Sequence, residues 1–154
     1  MTWIGETAAG TTLFDRVFNL RPNLYADYQR FASLFWSERL VDPVLLELCR
    51  LRIAQLLRCE AERCLRHAPA RAAGLTEDKI AALPRWPADP QFSALERAGL
   101  AFAEKFVIDP HAITDDDAAA VTVHLSPAAM VAFTEALALF EGFARFQVLL
   151  GIGA

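Results

Sequence analysis

The chain has 154 residues, a formal net charge of −4, and an apolar fraction of 55% against a charged fraction of 22%. This length fits a single domain over residues 1–154, and the scattered basic residues exclude a nucleic-acid-binding stripe. Charged residues interrupt the longest apolar runs, so we expect no membrane partner, and the apolar excess favours a homo-oligomer in which a partner subunit covers apolar surface.

The N-terminal stretch "MTWIGETAAG" lacks the basic start and apolar core of a secretion signal. The chain has three cysteines, an odd number. Together these features favour reduced thiols in a cytoplasmic protein and argue against a disulfide scaffold.

Helix signals run through the first half of the chain. Residues 12–19 predict a short helix, and a second is expected to begin near Pro22. Asp42 and Pro43 form a cap and a first helical residue for a third helix, "VLLELCRLRIAQLL". Residues 59–73 are also helical in pattern, and Gly74 is placed to end that helix.

Helix signals continue through the second half of the chain, on both sides of one irregular stretch. This stretch is "LPRWPADPQF", and its three prolines exclude a regular helix. Ser93 followed by Glu96 is a capping box that begins a helix to about Val107. The other predicted helix starts are Thr76, Thr114 and Ser126. No segment shows a convincing two-residue alternation, so the predicted fold class is all-α.

Four stretches carry a resemblance to a known family. In order, "DPVLLELCRLRIAQLLRCEAERC", "AAGLTEDKIAAL", "FSALERAGLAFAEKFVIDPHAITDDD" and "LSPAAMVAFTEALALFEGFARF" resemble the carboxymuconolactone decarboxylase and AhpD-like alkylhydroperoxidase family. The resemblance implies an AhpD-like helical-bundle subunit, intertwined in a homo-oligomer such as a trimer or hexamer. It also implies a small-molecule substrate, either a peroxide or a small carboxylate.

The family's peroxidase motif is a Glu, a C-x-x-C that begins twelve residues later, and a His seven residues after the first Cys. Glu47 and Cys59 fit this spacing, but Glu62 stands at the second Cys and Arg66 at the His. The family's Gly before the first Cys is Arg58 here, which is expected to remove an obvious helix break.

Cys64 and His67 are present, but two places and one place later than the motif requires. On a continuous helix, Cys59 and Cys64 would have Cα atoms roughly 8.6 Å apart and point about 140° away from each other. Disulfides rarely span more than about 7 Å between Cα atoms, so the two thiols bridge only if the helix is broken between them.

Each motif residue has a catalytic and a structural interpretation. Glu47 is either the family's proton-relay acid or a partner for Arg50 or Arg52, and its leucine neighbours could raise its pKa. Cys59 is either a nucleophile or a small buried apolar residue. Cys64 and His67 share a helical face, so the imidazole could lower the pKa of the thiol, but two ligands alone predict no metal site.

Glu62 and Arg66 are four residues apart, in the order that favours an ion pair on a helix. The alternative is that they are substrate-binding residues, with Arg66 holding an anionic group. Cys49 lies within the apolar run of the third helix and is interpreted as a core residue.

Three functions are consistent with this pattern, and none needs a cofactor. In the first, a divergent AhpD-like peroxidase, the Cys59 thiolate attacks a peroxide, Glu47 assists proton transfer, and Cys64 or an external thiol reductant resolves the sulfenic acid. The second is decarboxylase- or isomerase-type chemistry on a small carboxylated or lactone substrate, with dispensable cysteines. Its acid, base and anion-binding groups would come from Glu47, Glu62, Arg66 and His67. The third is an oligomeric protein that keeps the fold without catalysis. The resemblance favours the first.

Overall fold

A computed structural model describes residues 3–5 and 7–154, and over these residues the fold is all-α, as predicted, with no strand. The α-helices are α1 (Leu13–Phe18), α2 (Pro22–Ser37), α3 (Pro43–Leu57), α4 (Glu60–Cys64), α5 (Ala68–Ala72), α6 (Glu77–Ala82), α7 (Ala94–Ile108), α8 (Asp115–Thr122) and α9 (Pro127–Leu149). Short 3-10 turns lie at Leu83–Arg85 and Pro110–Ala112.

The helix starts agree with the side chains that predicted them. Ser93 and Thr114 each form a complete capping box with the acidic residue three positions later. Thr76 and Ser126 accept hydrogen bonds from backbone N–H groups in the first turns of α6 and α9. Such caps satisfy donors that the helix leaves unpaired, so these boundaries are determined locally.

Helix α3 is the centre of the core and packs between α7 and α9. Gly99 on α7 allows this close approach, because a Cβ atom built there would lie 2.6 Å from Cδ1 of Leu45 on α3. The cysteine predicted to lie in the core, Cys49, is fully buried in α3. Glu47, two residues before Cys49 on the same helix, is also buried.

The prediction of one helix over residues 59–73 is wrong. The chain forms α4 and α5, with Leu65 and His67 in extended conformations between them. A continuous helix would pair the Leu65 carbonyl with the backbone N–H of residue 69, which is a proline and has none. Because α4 ends at Cys64, Cys64 and His67 share no helical face.

The break before Cys59 is also present, contrary to the expectation from Arg58. Arg58 ends α3 in the left-handed conformation, with φ of 55°, which a family glycine would adopt without a steric penalty. Cys59 consequently lies outside α3 and is the N-cap residue of α4.

The expectation was that charged residues interrupt every apolar run before it is long enough to span a membrane. Helix α9 is nevertheless long and apolar enough to do so, judged by length and composition alone. Its most apolar window has a mean hydropathy of 1.3, and one third of that window is buried inside the fold. Core helices of globular proteins meet the same criterion, and α9 packs here on α3.

An aromatic cluster joins α1, α2 and the end of α9. Its members are Phe14, Phe18, Tyr25, Tyr28, Phe143 and Phe146, whose ring centroids lie 4.1–6.3 Å apart in the contacting pairs. The cluster places Tyr28 beside α4, next to the polar residues described below.

Candidate active site

Glu47, on α3, is 1% exposed, and both of its carboxylate oxygens have hydrogen-bond partners. Its Oε2 accepts from Nε of Arg50 at 2.8 Å and lies 3.0 Å from Nδ1 of His67. Its Oε1 accepts from Nη2 of Arg50 at 2.9 Å and from the backbone N–H of His67 at 3.1 Å. The carboxylate therefore holds both the side chain and the backbone of His67.

The expectation of a raised pKa at Glu47 is wrong. Burial alone would raise the pKa, but the hydrogen bonds and charges of Arg50 and His67 outweigh it and lower the pKa from 4.5 to about 2. Glu47 is thus an ionised hydrogen-bond acceptor at neutral pH and not a proton donor.

His67 is oriented from two sides. Because Glu47 is ionised, Nδ1 donates its hydrogen to the carboxylate, and Nε2 has no hydrogen-bond partner among the described residues. The imidazole also stacks on Trp36, with centroids 4.3 Å apart and planes 11° apart. A carboxylate-oriented imidazole with a free nitrogen is an arrangement suited to general acid–base chemistry.

Arg50 holds this arrangement together, although the sequence singled it out only as a partner for Glu47. It is 3% exposed, and its five N–H donors match five hydrogen bonds. Two reach Glu47; the others reach the Glu62 carbonyl and Oε2, both at 2.7 Å, and the Leu65 carbonyl at 2.8 Å. One side chain therefore binds two of the carbonyls that the break between α4 and α5 leaves without a helical partner.

Glu62 does not pair with Arg66. Its Oε2 accepts from Arg50, and its Oε1 accepts from Nε2 of Gln147 on α9 at 2.5 Å. Arg66 binds Glu77 on α6, with Nε 3.0 Å from Oε1, and also donates to the carbonyls of Arg63 and Leu65. The break in the helix separates the two residues that a continuous helix would have paired.

Two cavities meet at Glu62. The smaller, of about 50 Å³, is lined by polar Arg50, Glu62 and His67 and by aromatic residues of α2 and α9 that include Tyr28 and Trp36. The larger, of about 310 Å³, lies between α1, α4 and the C-terminal segment. Tyr28, Glu62 and Leu65 line both, so the His67 cavity adjoins a space that can hold a small molecule.

Cys59 is fully buried, and it does not line either of these cavities. The C-terminal segment covers it: a Cβ atom at Gly153 would lie 3.3 Å from its Sγ, and the Gly153 carbonyl accepts from the backbone N–H of Ala61 at 3.1 Å. Burial raises the pKa of the Cys59 thiol, and the nearby backbone N–H of Glu62 offsets this only in part.

Cys64 lies at the other end of α4 and is exposed. With Arg66 it lines a separate polar cavity of about 290 Å³ near α6. The site residues predicted from the sequence thus lie in three places. The structure brings Glu47, Glu62 and His67 together around Arg50, buries Cys59 under the C-terminal segment, and places Cys64 and Arg66 at the cavity near α6.

Among the described residues, no group of three His, Cys, Asp or Glu side chains is placed to hold a metal ion. Tyr28 and Gln147 are neighbours of the site that no sequence pattern indicates. Only Arg50 had a local signal, since it lies three residues after Glu47 in an otherwise apolar helix.

Comparison with known proteins places this geometry in a family. The sequence profile of the carboxymuconolactone decarboxylase family matches residues 22–105. The uncharacterized protein YnjA of Escherichia coli strain K12 is 32% identical over 124 residues, which cover 77% of this chain and 67% of YnjA. The match to the profile includes α3, the α4–α5 break and their polar residues.

A solved structure supports the fold. It is the Agrobacterium tumefaciens protein of unknown function ATU0492, named as a candidate antioxidant defence protein AhpD, and it superposes with a TM-score of 0.78 at 20% identity. The superposition covers 98% of this chain and 96% of the other. Because the family profile matches more than half of the chain, the chain belongs to the carboxymuconolactone decarboxylase family.

Proposed function

We propose that the protein is an acid–base enzyme of the decarboxylase or isomerase type, acting on a small carboxylated or lactone substrate. The observation that carries this proposal is the 3.0 Å contact between Nδ1 of His67 and the buried Glu47 carboxylate. In this geometry Nε2 of His67 takes up or delivers a proton, and Glu47 maintains the tautomer and orientation of the ring.

The simplest reaction of this kind is a double-bond shift in a conjugated carbonyl compound. Nε2 removes a proton from the carbon between the carbonyl and the double bond, and the electron pair of that C–H bond moves toward the carbonyl oxygen. The imidazolium, which exchanges its proton with solvent, then delivers a proton to the far carbon of the double bond, so no atoms or electrons are gained or lost. In a decarboxylation the electron pair comes from the bond to the departing CO₂, and a proton from His67 replaces the carboxylate.

The test uses α-angelica lactone, a β,γ-unsaturated lactone, with its isomerisation followed by NMR in D₂O. We expect turnover with deuterium incorporation in the wild type, loss of about 100-fold or more in His67→Gln, and retained turnover in a Cys59→Ser, Cys64→Ser double variant. Carboxylated lactones, assayed by CO₂ release, test the decarboxylation arm. Turnover that survives His67→Gln would contradict the proposal.

Peroxide reduction through Cys59 is the second candidate, because Cys59 is the N-cap residue at the start of α4, at the family's cysteine position. This chemistry requires the segment that contains Gly153 to move away from the thiol. Consumption of tert-butyl hydroperoxide in the presence of dithiothreitol, lost in Cys59→Ser and retained in His67→Gln, would favour this candidate over the first.

We also propose that the protein assembles into a homo-oligomer, as the family resemblance implies. Several large apolar side chains of α2 and α9 are exposed on the subunit, among them Leu24, Phe31, Val131 and Leu149. Light scattering coupled to size-exclusion chromatography measures the mass directly, and a subunit mass of 17.0 kDa at micromolar concentration would contradict assembly.

A further inference from the structure

Residues 151–154 form a short segment, here called the strap, that follows α9 and reaches back to the start of α4. Gly151 adopts a φ of 70°, and its N–H donates to the Val148 carbonyl at 3.1 Å. The N–H of Ile152 donates to the Gln147 carbonyl at 2.9 Å. This pair of hydrogen bonds around a left-handed glycine is the Schellman motif, which ends α9 and redirects the chain.

Few interactions hold the strap against the rest of the subunit. Among the described backbone hydrogen bonds, one joins it to another helix: the N–H of Ala61, in the first turn of α4, donates to the Gly153 carbonyl at 3.1 Å. The Ile152 side chain is buried and is the only large apolar one in the strap. Opening the strap would therefore cost the burial of one side chain and one hydrogen bond, which water can replace.

The strap lies directly over the Cys59 thiol and forms one wall of a cavity. A Cβ atom at Gly153 would lie 3.3 Å from Sγ of Cys59, so glycine allows the strap to come this close. Ile152 and Ala154 line the larger cavity together with Ala61 of α4. The contact that buries the thiol therefore lies at the edge of a cavity and not in the centre of the core.

Cys49 is buried in a different way. It is fully buried on α3, which packs between α7 and α9, so it reaches solvent only when the core itself opens. Cys59 is equally buried, but part of its cover is the four-residue strap. Because the opening of a few residues costs less free energy than global unfolding, different motions should expose the two thiols.

We propose that the strap is a gate, which hinges at Gly151, closes over Cys59, and opens while the helical core stays folded. A reagent or substrate then reaches this thiol only in the open state, so the closed strap inhibits every reaction of Cys59. The inference concerns access to Cys59 and is independent of the proposed proton transfer at His67.

The test measures alkylation of each thiol by iodoacetamide in the native full chain, with mass spectrometry to assign the modified cysteine. Dividing each rate by the rate in denaturant gives the fraction of time for which that thiol is exposed. We expect Cys64 to react first, Cys59 much more slowly, and Cys49 slowest. Equal protection of Cys59 and Cys49 would overturn the inference, because both thiols would then be exposed by the same global unfolding.

Two glycine variants separate the strap from the rest of the fold. Gly151 and Gly74 are both exposed and have φ values of 70° and 99°, so alanine strains the folded backbone at either position. Opening of the strap releases the strain at residue 151 but not the strain at residue 74, which follows α5. Global unfolding releases both.

We therefore expect Gly151→Ala to raise the Cys59 rate roughly 10-fold. Gly74→Ala should leave the Cys59 rate unchanged while it raises the Cys49 rate by a similar factor. An unchanged Cys59 rate in Gly151→Ala would overturn the inference, because the opening would not involve the hinge. Equal acceleration of Cys59 and Cys49 in Gly74→Ala would overturn it as well, because only global unfolding would then expose Cys59.

Discussion

The carbonyl oxygen of Leu65 accepts a hydrogen bond from Nη2 of Arg50 at 2.8 Å, across fifteen residues of sequence. Pro69 cannot donate to that carbonyl, so the helix breaks, and side chains supply donors instead: Arg50 from α3 and Arg66 from the break itself. The break brings His67 to Glu47, which Arg50 also binds. A proline and a buried arginine thus create the only described contact between a histidine and a buried carboxylate.

Arg50→Met should destabilise the protein by about 3 to 5 kcal/mol, because it leaves the buried Glu47 without its cationic partner. Chemical denaturation measures the change. Arg145→Met is the matched control, since Arg145 binds Glu141 on the surface and its loss should cost less than about 1 kcal/mol. Equal costs for the two variants would show that the buried cluster is not what stabilises the fold here.

Stability should fall at acidic pH through Glu47. Its pKa is lowered from 4.5 in the unfolded chain to about 2 in the fold, so its contribution is present above pH 4.5 and is lost as the pH falls towards about 2. The full contribution is about 3 kcal/mol. The difference in free energy of unfolding between wild type and Glu47→Gln, measured from pH 6 to pH 2, should shrink over this window.

A direct titration of Glu47 is independent of how stable the variant is. Its side-chain carboxyl ¹³C resonance should remain that of an ionised group at pH 4, where a glutamate carboxyl with an ordinary pKa is largely protonated. A midpoint near 4.5 for Glu47 would contradict the structure of the Arg50 cluster.

One thiol should react in the native protein. Cys64 is exposed, while Cys49 and Cys59 are buried and have raised pKa values, so a disulfide reagent should titrate one thiol per chain before denaturation and three after it. Cys64→Ser should abolish the native reaction. Rapid labelling of Cys59 by peroxide and a sulfenic-acid trap would instead show that the C-terminal segment opens, and would favour the peroxidase candidate.

Arg58→Gly should raise the free energy of unfolding by about 1 kcal/mol. Arg58 is exposed and adopts a φ of 55°, a conformation that is costly for residues with a Cβ atom and free of that cost for glycine. Arg58→Ala keeps the Cβ atom and serves as the control. A thermal midpoint that rises equally in both variants would attribute the effect to the charge and not to the backbone.

The sequence by itself determined the helices outside residues 59–73 and most of their boundaries. The caps at Ser93, Thr114 and Ser126 act within three residues, so their effect is readable from neighbouring letters. The same kind of signal was available for the break near His67, because Pro69 removes a donor at a known distance. The apolar and charged pattern of residues 59–73 is nevertheless typical of a continuous helix, and the prediction followed that pattern.

Only the tertiary structure decided the site. Arg50 meets Glu62 and Leu65 because α4 folds back on α3, and Tyr28 and Gln147 arrive from helices at opposite ends of the chain. The pKa of Glu47 shows the reason most clearly. Its leucine neighbours indicated burial, which raises a carboxyl pKa, but the charges that lower it come from packing and from a break in the helix.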